Sequence, residues 1–75
     1  MRITYDPEAD ILHIQLRDDL PADATDIDQG IRAEYNDKGR MVGLEILDAK
    51  LALGSQSVGS VQYELLTLTM PENEE

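Results

Sequence analysis

The chain lacks cysteine, tryptophan and phenylalanine, and it has a single histidine. Without cysteine there is no disulfide and no thiolate metal centre, and one imidazole cannot replace the missing zinc ligands. Cations are also scarce: six lysines and arginines stand against sixteen aspartates and glutamates, for a net charge of −10. That balance disfavours direct binding to nucleic acid, whose affinity comes mainly from cations meeting phosphates. It equally disfavours an anionic membrane surface. It suits solubility and steers encounters toward a basic protein partner. No apolar run approaches the ~20 residues of a membrane span. The opening Met1-Arg2-Ile3-Thr4-Tyr5-Asp6 lacks the apolar core of a signal peptide. The cytoplasm is therefore the expected compartment, and the absence of cysteine agrees with it.

What is present is a chain of 75 residues, expected as one β-rich domain over residues 1–71 with an acidic tail at 72–75. A chain of this size buries only roughly 60–65% of its unfolded surface. Its core typically supplies about 3–5 kcal/mol, and natural examples add disulfides, metal or oligomerisation. Oligomerisation is the support this composition leaves open, so a homo-oligomer is expected.

Hydrophobic alternation points to strands. Residues 2–5 alternate with Ile3 and Tyr5 on one face, and residues 11–17 alternate with Leu12, Ile14 and Leu16 together, which is the period of half-buried strands. The Asp6-Pro7-Glu8-Ala9-Asp10 connection makes them a hairpin. The acidic stretch 18–28 reads mostly as a loop, with a short edge strand near Thr25 to Ile27 as an option. Residues 31–35 and 41–47 then flank Asn36-Asp37-Lys38-Gly39, whose residues tolerate left-handed backbone. This hairpin is the firmest structural expectation. Val42, Leu44 and Ile46 form one face of its second strand, and Met41, Gly43, Glu45 and Leu47 form the other. Apolarity on both sides implies a central strand, or one covered by another element or chain. Residues 48–53 suit a short helical turn with Asp48 as N-cap and Gly54 as stop. Residues 61–70 read as a strand for their threonines and alternation, with a helix carrying Leu65, Leu66, Leu68 and Met70 as the alternative. The expected fold is mainly β: an antiparallel meander of four strands, a short helical turn and a C-terminal strand. The alternative is α+β with a C-terminal helix.

Candidates for chemistry are few. Asp6, Glu8 and Asp10 have a calcium-like spacing, but Ile11 stands where the loop glycine belongs and Arg17 where the bidentate glutamate belongs. A solvated turn, with the Asp6 side chain bonded to its own backbone, is the expectation. Asp18, Asp19, Asp23, Asp26 and Asp28 read as a solvated charge run. His13 is the one side chain whose ordinary pKa lies near neutrality. No nucleophile elbow accompanies it, and Ser55, Ser57 and Ser60 belong to a small-residue linker. Gly54 and Gly59 lack the lysine and the strand-to-helix setting of a phosphate loop. Tyr5, Tyr35 and Tyr63 are placed as core residues with hydroxyls at the rim. No metal and no cofactor is expected.

The pieces Tyr5-Asp6-Pro7-Glu8-Ala9-Asp10-Ile11-Leu12, Gly30-Ile31, and Asp37-Lys38-Gly39-Arg40-Met41-Val42-Gly43-Leu44-Glu45-Ile46-Leu47-Asp48-Ala49 together resemble the bacterial family called domain of unknown function 2283. The resemblance covers about the first fifty residues. It implies a small, β-rich, cytoplasmic protein, with no enzyme activity, cofactor or catalytic residue attached. Among the matching polar residues, Glu45 and Asp48 have the least obvious structural duty. With His13 they form the set of candidate functional polar residues.

The expected function is a non-enzymatic protein-interaction module that self-associates or pairs with a basic protein, an antitoxin-like role being one concrete version. The alternative is a small cation-binding or hydrolytic domain using His13 with Glu45, Asp48 or the loop aspartates.

Overall fold

The computed structural model describes residues 1–67. Five strands form one antiparallel sheet: β1 (Arg2–Asp6), β2 (Ile11–Gln15), β3 (Asp23–Asp28), β4 (Ile31–Tyr35) and β5 (Met41–Leu47). A short helix α1 (Ala49–Leu53) and a 3-10 turn at Ser57–Gly59 follow. The fold is thus mainly β, as the alternation requires.

The strand order is β1-β2-β5-β4-β3, which differs from a plain meander. After β2 the chain passes to the far edge, lays down β3 and returns through β4, so that β5 inserts beside β2. Alternation specifies which side chains share a face, not which strand lies next door. β5 is thus the central strand, with β2 and β4 on either side, while on its second face Met41 is still 36% exposed.

Stretch 18–28 holds more structure than expected, because residues 23–28 form a full edge strand with every residue exposed. An edge keeps its carboxylates hydrated while its backbone pairs on one side, so acidic residues do not prevent a strand there. Residues 61–67 carry no strand and no helix. Val61 and Tyr63 instead stand across an open groove of about 790 Å³ from Ile3, Tyr5 and Leu12. An extended run joins a sheet only where its backbone finds a free ladder, and β-favouring residues alone do not supply one. The rest of that expected strand, 68–70, and the expected tail at 72–75 lie outside the described residues.

Register assigns the faces. Ile3, Tyr5, Leu12, Ile14, Leu44, Ile46, Ile31 and Ala33 occupy the apolar side. Among the described residues only Leu12, Ala33, Val42 and Ala49 are buried apolar residues, so the core is as thin as the chain length implies. α1 packs against β5 and the 3-10 turn, with Ala49 fully enclosed.

Candidate functional site

The opposite face of the sheet is polar, and its centre is a single rung. Thr4 pairs with His13, His13 with Glu45, Glu45 with Arg32, and Arg32 with Asp26, one residue from each strand. Alternation puts each of these on the face away from the core, so polar side chains from all five strands line up. Arg32 Nε donates to Asp26 Oδ1 at 3.0 Å, and Arg32 Nη1 lies 3.9 Å from Glu45 Oε1.

The shortest contact of the face runs diagonally. His13 Nε2 lies 2.8 Å from Glu34 Oε1, reaching from β2 to β4 across β5. A carboxylate only accepts, so the imidazole proton in this bond sits on Nε2. The crossing is made possible by Gly43, which pairs with Gln15 on one side and Glu34 on the other. A Cβ at Gly43 would stand 2.5 Å from Glu34 Oε1, 3.1 Å from the Ile14 carbonyl oxygen and 3.3 Å from His13 Nε2. Glycine in a strand interior marks such a close approach. Glu34 was not singled out by sequence reasoning. The signal was there in the alternation of Arg32 and Glu34 against Ile31 and Ala33, together with a glycine in the neighbouring strand.

The face therefore brings His13 and Glu45 together and adds Glu34 and Arg32. Asp48 is not with them. It is exposed, with φ 50° and ψ 52°, and precedes α1 without a side-chain capping bond. Its carbonyl accepts from Leu51 and Ala52 N–H at 3.0 Å each. The side-chain cap expected from Asp48 comes instead from Asp10, whose Oδ1 accepts the N–H of Lys50, forty residues further on, at 3.1 Å. The Asp10 carbonyl accepts the Ala49 N–H at 3.0 Å, and its Oδ1 accepts a hydrogen bond from the Tyr5 hydroxyl at 2.7 Å. That hydrogen bond, then burial, then the charges of Asp10 and Asp6 hold the Tyr5 hydroxyl above the ordinary tyrosine pKa. Asp10 itself adopts φ 58°, a left-handed conformation that aspartate tolerates better than most residues.

The remaining candidates are structural. Asp6 Oδ1 accepts from the Glu8 and Ala9 N–H groups at 3.0 and 3.3 Å, the expected self-bonded turn. Among the described residues no three histidine or carboxylate side chains are grouped to hold a metal ion, and no helix is long and apolar enough to cross a membrane. Tyr63, expected in the core, is largely exposed. Chemically, the polar face holds an imidazole–carboxylate bond and a short ion-pair row.

A family model described as a protein of unknown function, DUF2283, matches residues 2–50. Neither a curated protein nor a solved structure matches the chain. The match spans Tyr5, Asp10, Gly43, Glu45, Asp48 and Ala49. It thus takes in both the polar rung and the Tyr5–Asp10–Ala49 junction.

Proposed function

Since the chain belongs to the DUF2283 family of proteins of unknown function, we propose from its own surface that it is a non-enzymatic interaction module that associates with copies of itself. The observation that carries this reading is the apolar surface left outside the core. Val61, Tyr63, Leu65 and Leu66 are 60%, 77%, 73% and 74% exposed, and the groove beside the first two is lined by Met1, Ile3 and Tyr5. Contiguous exposed apolar surface on a small protein marks an interaction site. Among the described residues, four buried apolar side chains give a core that benefits from further burial. A basic protein is the other partner that fits, because a net charge of −10 favours its approach.

Sedimentation velocity over a wide protein concentration range tests the reading. Concentration-dependent association is expected, and Tyr63→Ser is expected to weaken it. A compact monomer at every concentration, with no basic protein recovered by pull-down, rejects the proposal. A cation-dependent or hydrolytic role is the second reading, supported by the 2.8 Å contact of His13 with Glu34 beside Glu45. It requires divalent cations to raise the melting temperature, since a ligand of the native state alone must stabilise it.

A further inference from the structure

The sheet has two edges, β1 and β3, and they are unlike. β3 carries Asp23, Asp26 and Asp28 on six exposed residues, with a register shift between Asp26 and Asp28. Charges and a bulge are the features that keep an edge from pairing with another chain. β1 lacks the bulge, its five residues running in unbroken register with β2, and its two charges, Arg2 and Asp6, are of opposite sign, so they do not repel a second copy.

The β1 sequence Arg2-Ile3-Thr4-Tyr5-Asp6 is complementary to itself when read antiparallel. With Thr4 on a two-fold axis, Arg2 faces the partner subunit's Asp6, Ile3 faces the partner subunit's Tyr5, and Thr4 faces the partner subunit's Thr4. These are an opposite-charge pair, an aromatic–β-branched pair and a threonine pair, the three kinds that stabilise neighbouring strands. We infer that β1 is the isologous contact of a two-fold dimer, joining the sheets of two copies edge to edge about Thr4.

Three further observations fit this arrangement. Arg2 has no ion pair among the described residues. Asp6 uses Oδ1 in its turn, which leaves Oδ2 for the partner's arginine. Ile3 and Tyr5 share the apolar face with the groove that Met1, Val61 and Tyr63 line, so edge pairing brings two such patches side by side across the axis. An isologous contact needs a patch that complements itself, and the two-fold reading of β1 supplies one.

The inference rests on the self-association reading, and the following experiment separates the two. The chain has no cysteine, so single cysteines report geometry without interference. In the paired register Thr4 directly faces its counterpart, within disulfide reach. Ile3 lies roughly 8 Å from its own counterpart, given about 3.3 Å of rise per residue and about 4.8 Å between strands, beyond that reach. Thr4→Cys is expected to form a covalent dimer under mild oxidation, whereas Ile3→Cys and Thr25→Cys, the latter on the β3 edge, remain uncrosslinked. Arg2→Glu is expected to raise the dimer Kd roughly tenfold, as two cross-strand pairs change sign. If the wild-type chain dimerises but Thr4→Cys does not crosslink, or Arg2→Glu leaves Kd unchanged, the β1 contact is overturned while self-association stands. If the wild-type chain stays monomeric throughout, both are overturned.

Discussion

Asp10 joins parts of the fold that are far apart in sequence. It ties the first hairpin to α1 through its carbonyl and carboxylate, and it holds the Tyr5 hydroxyl. Asp10→Ala removes a cap and leaves Tyr5 without its acceptor, so a loss of about 1–3 kcal/mol is expected in urea unfolding. Tyr5→Phe removes only the hydroxyl bond and should lower the melting temperature by less than Asp10→Ala does. The pH dependence follows from the direction of the Tyr5 shift. Its folded pKa lies above its unfolded value, so the neutral hydroxyl is favoured in the folded state. That stabilisation is complete below about pH 10, the ordinary tyrosine value, and is lost as pH rises through the folded pKa. Melts of wild type and Tyr5→Phe should therefore differ at pH 8 and converge at strongly alkaline pH. A gap that stays constant across that range would assign the effect to packing instead. Gly43 is the second residue whose identity is dictated by its neighbours. Gly43→Ala puts a methyl group against Glu34 and the Ile14 carbonyl and should cost about 1–3 kcal/mol. In a Glu34→Ala background that cost should shrink, which a double-mutant cycle measures directly.

At the scale of elements, the β4–β5 hairpin is governed by its turn. Asn36 Oδ1 accepts the Lys38 and Arg40 N–H groups at 2.9 Å each, and Gly39 sits at φ 81° with open space around its Cα. Gly39→Ala meets no clash, so its expected cost of about 1 kcal/mol comes from backbone conformation alone. Gly39→Asn should cost less, because asparagine tolerates the left-handed region. Thermal melts of the two variants give the comparison. This turn was legible in the sequence because Asn, Asp and Gly act through local geometry. β3 was only half legible, since an acidic stretch gives no sign of strand until a partner supplies the ladder. The helix boundaries at Asp48 and Gly54 could be read too. The source of the cap could not, because Asp10 reaches α1 only once β2 and β5 lie side by side.

For the whole molecule, charge opposes association while apolar surface favours it. Two copies, each of net charge −10, repel over a distance set by the Debye length, about 10 Å at 0.1 M salt. Raising salt from a few millimolar to a few hundred should therefore strengthen self-association, measured as a fall in the apparent Kd by sedimentation equilibrium. Self-association that weakens as salt rises would instead identify ion pairing, such as Arg2 with the partner subunit's Asp6, as the dominant attraction. The thin core gives the same balance a consequence for stability. If association buries the patch around Ile3 and Tyr63, the melting temperature should rise with protein concentration, as mass action requires of any partner that binds only the folded state.

The sequence by itself determined the strand periods, the two hairpin turns, the short helix and its limits, the acidic surface, and the exclusion of disulfide and thiolate sites. All of these act within a few residues or through composition. Only the tertiary structure decided that β5 lies between β2 and β4, that residues 61–67 stay off the sheet, that His13 bonds to Glu34 across Gly43, and that Asp10 rather than Asp48 caps α1. Each of these depends on which strands become neighbours. Strand alternation is a period of two and fixes the facing of side chains. The order of strands is set by how the whole apolar face can be buried at once, and that is a property of the assembled sheet.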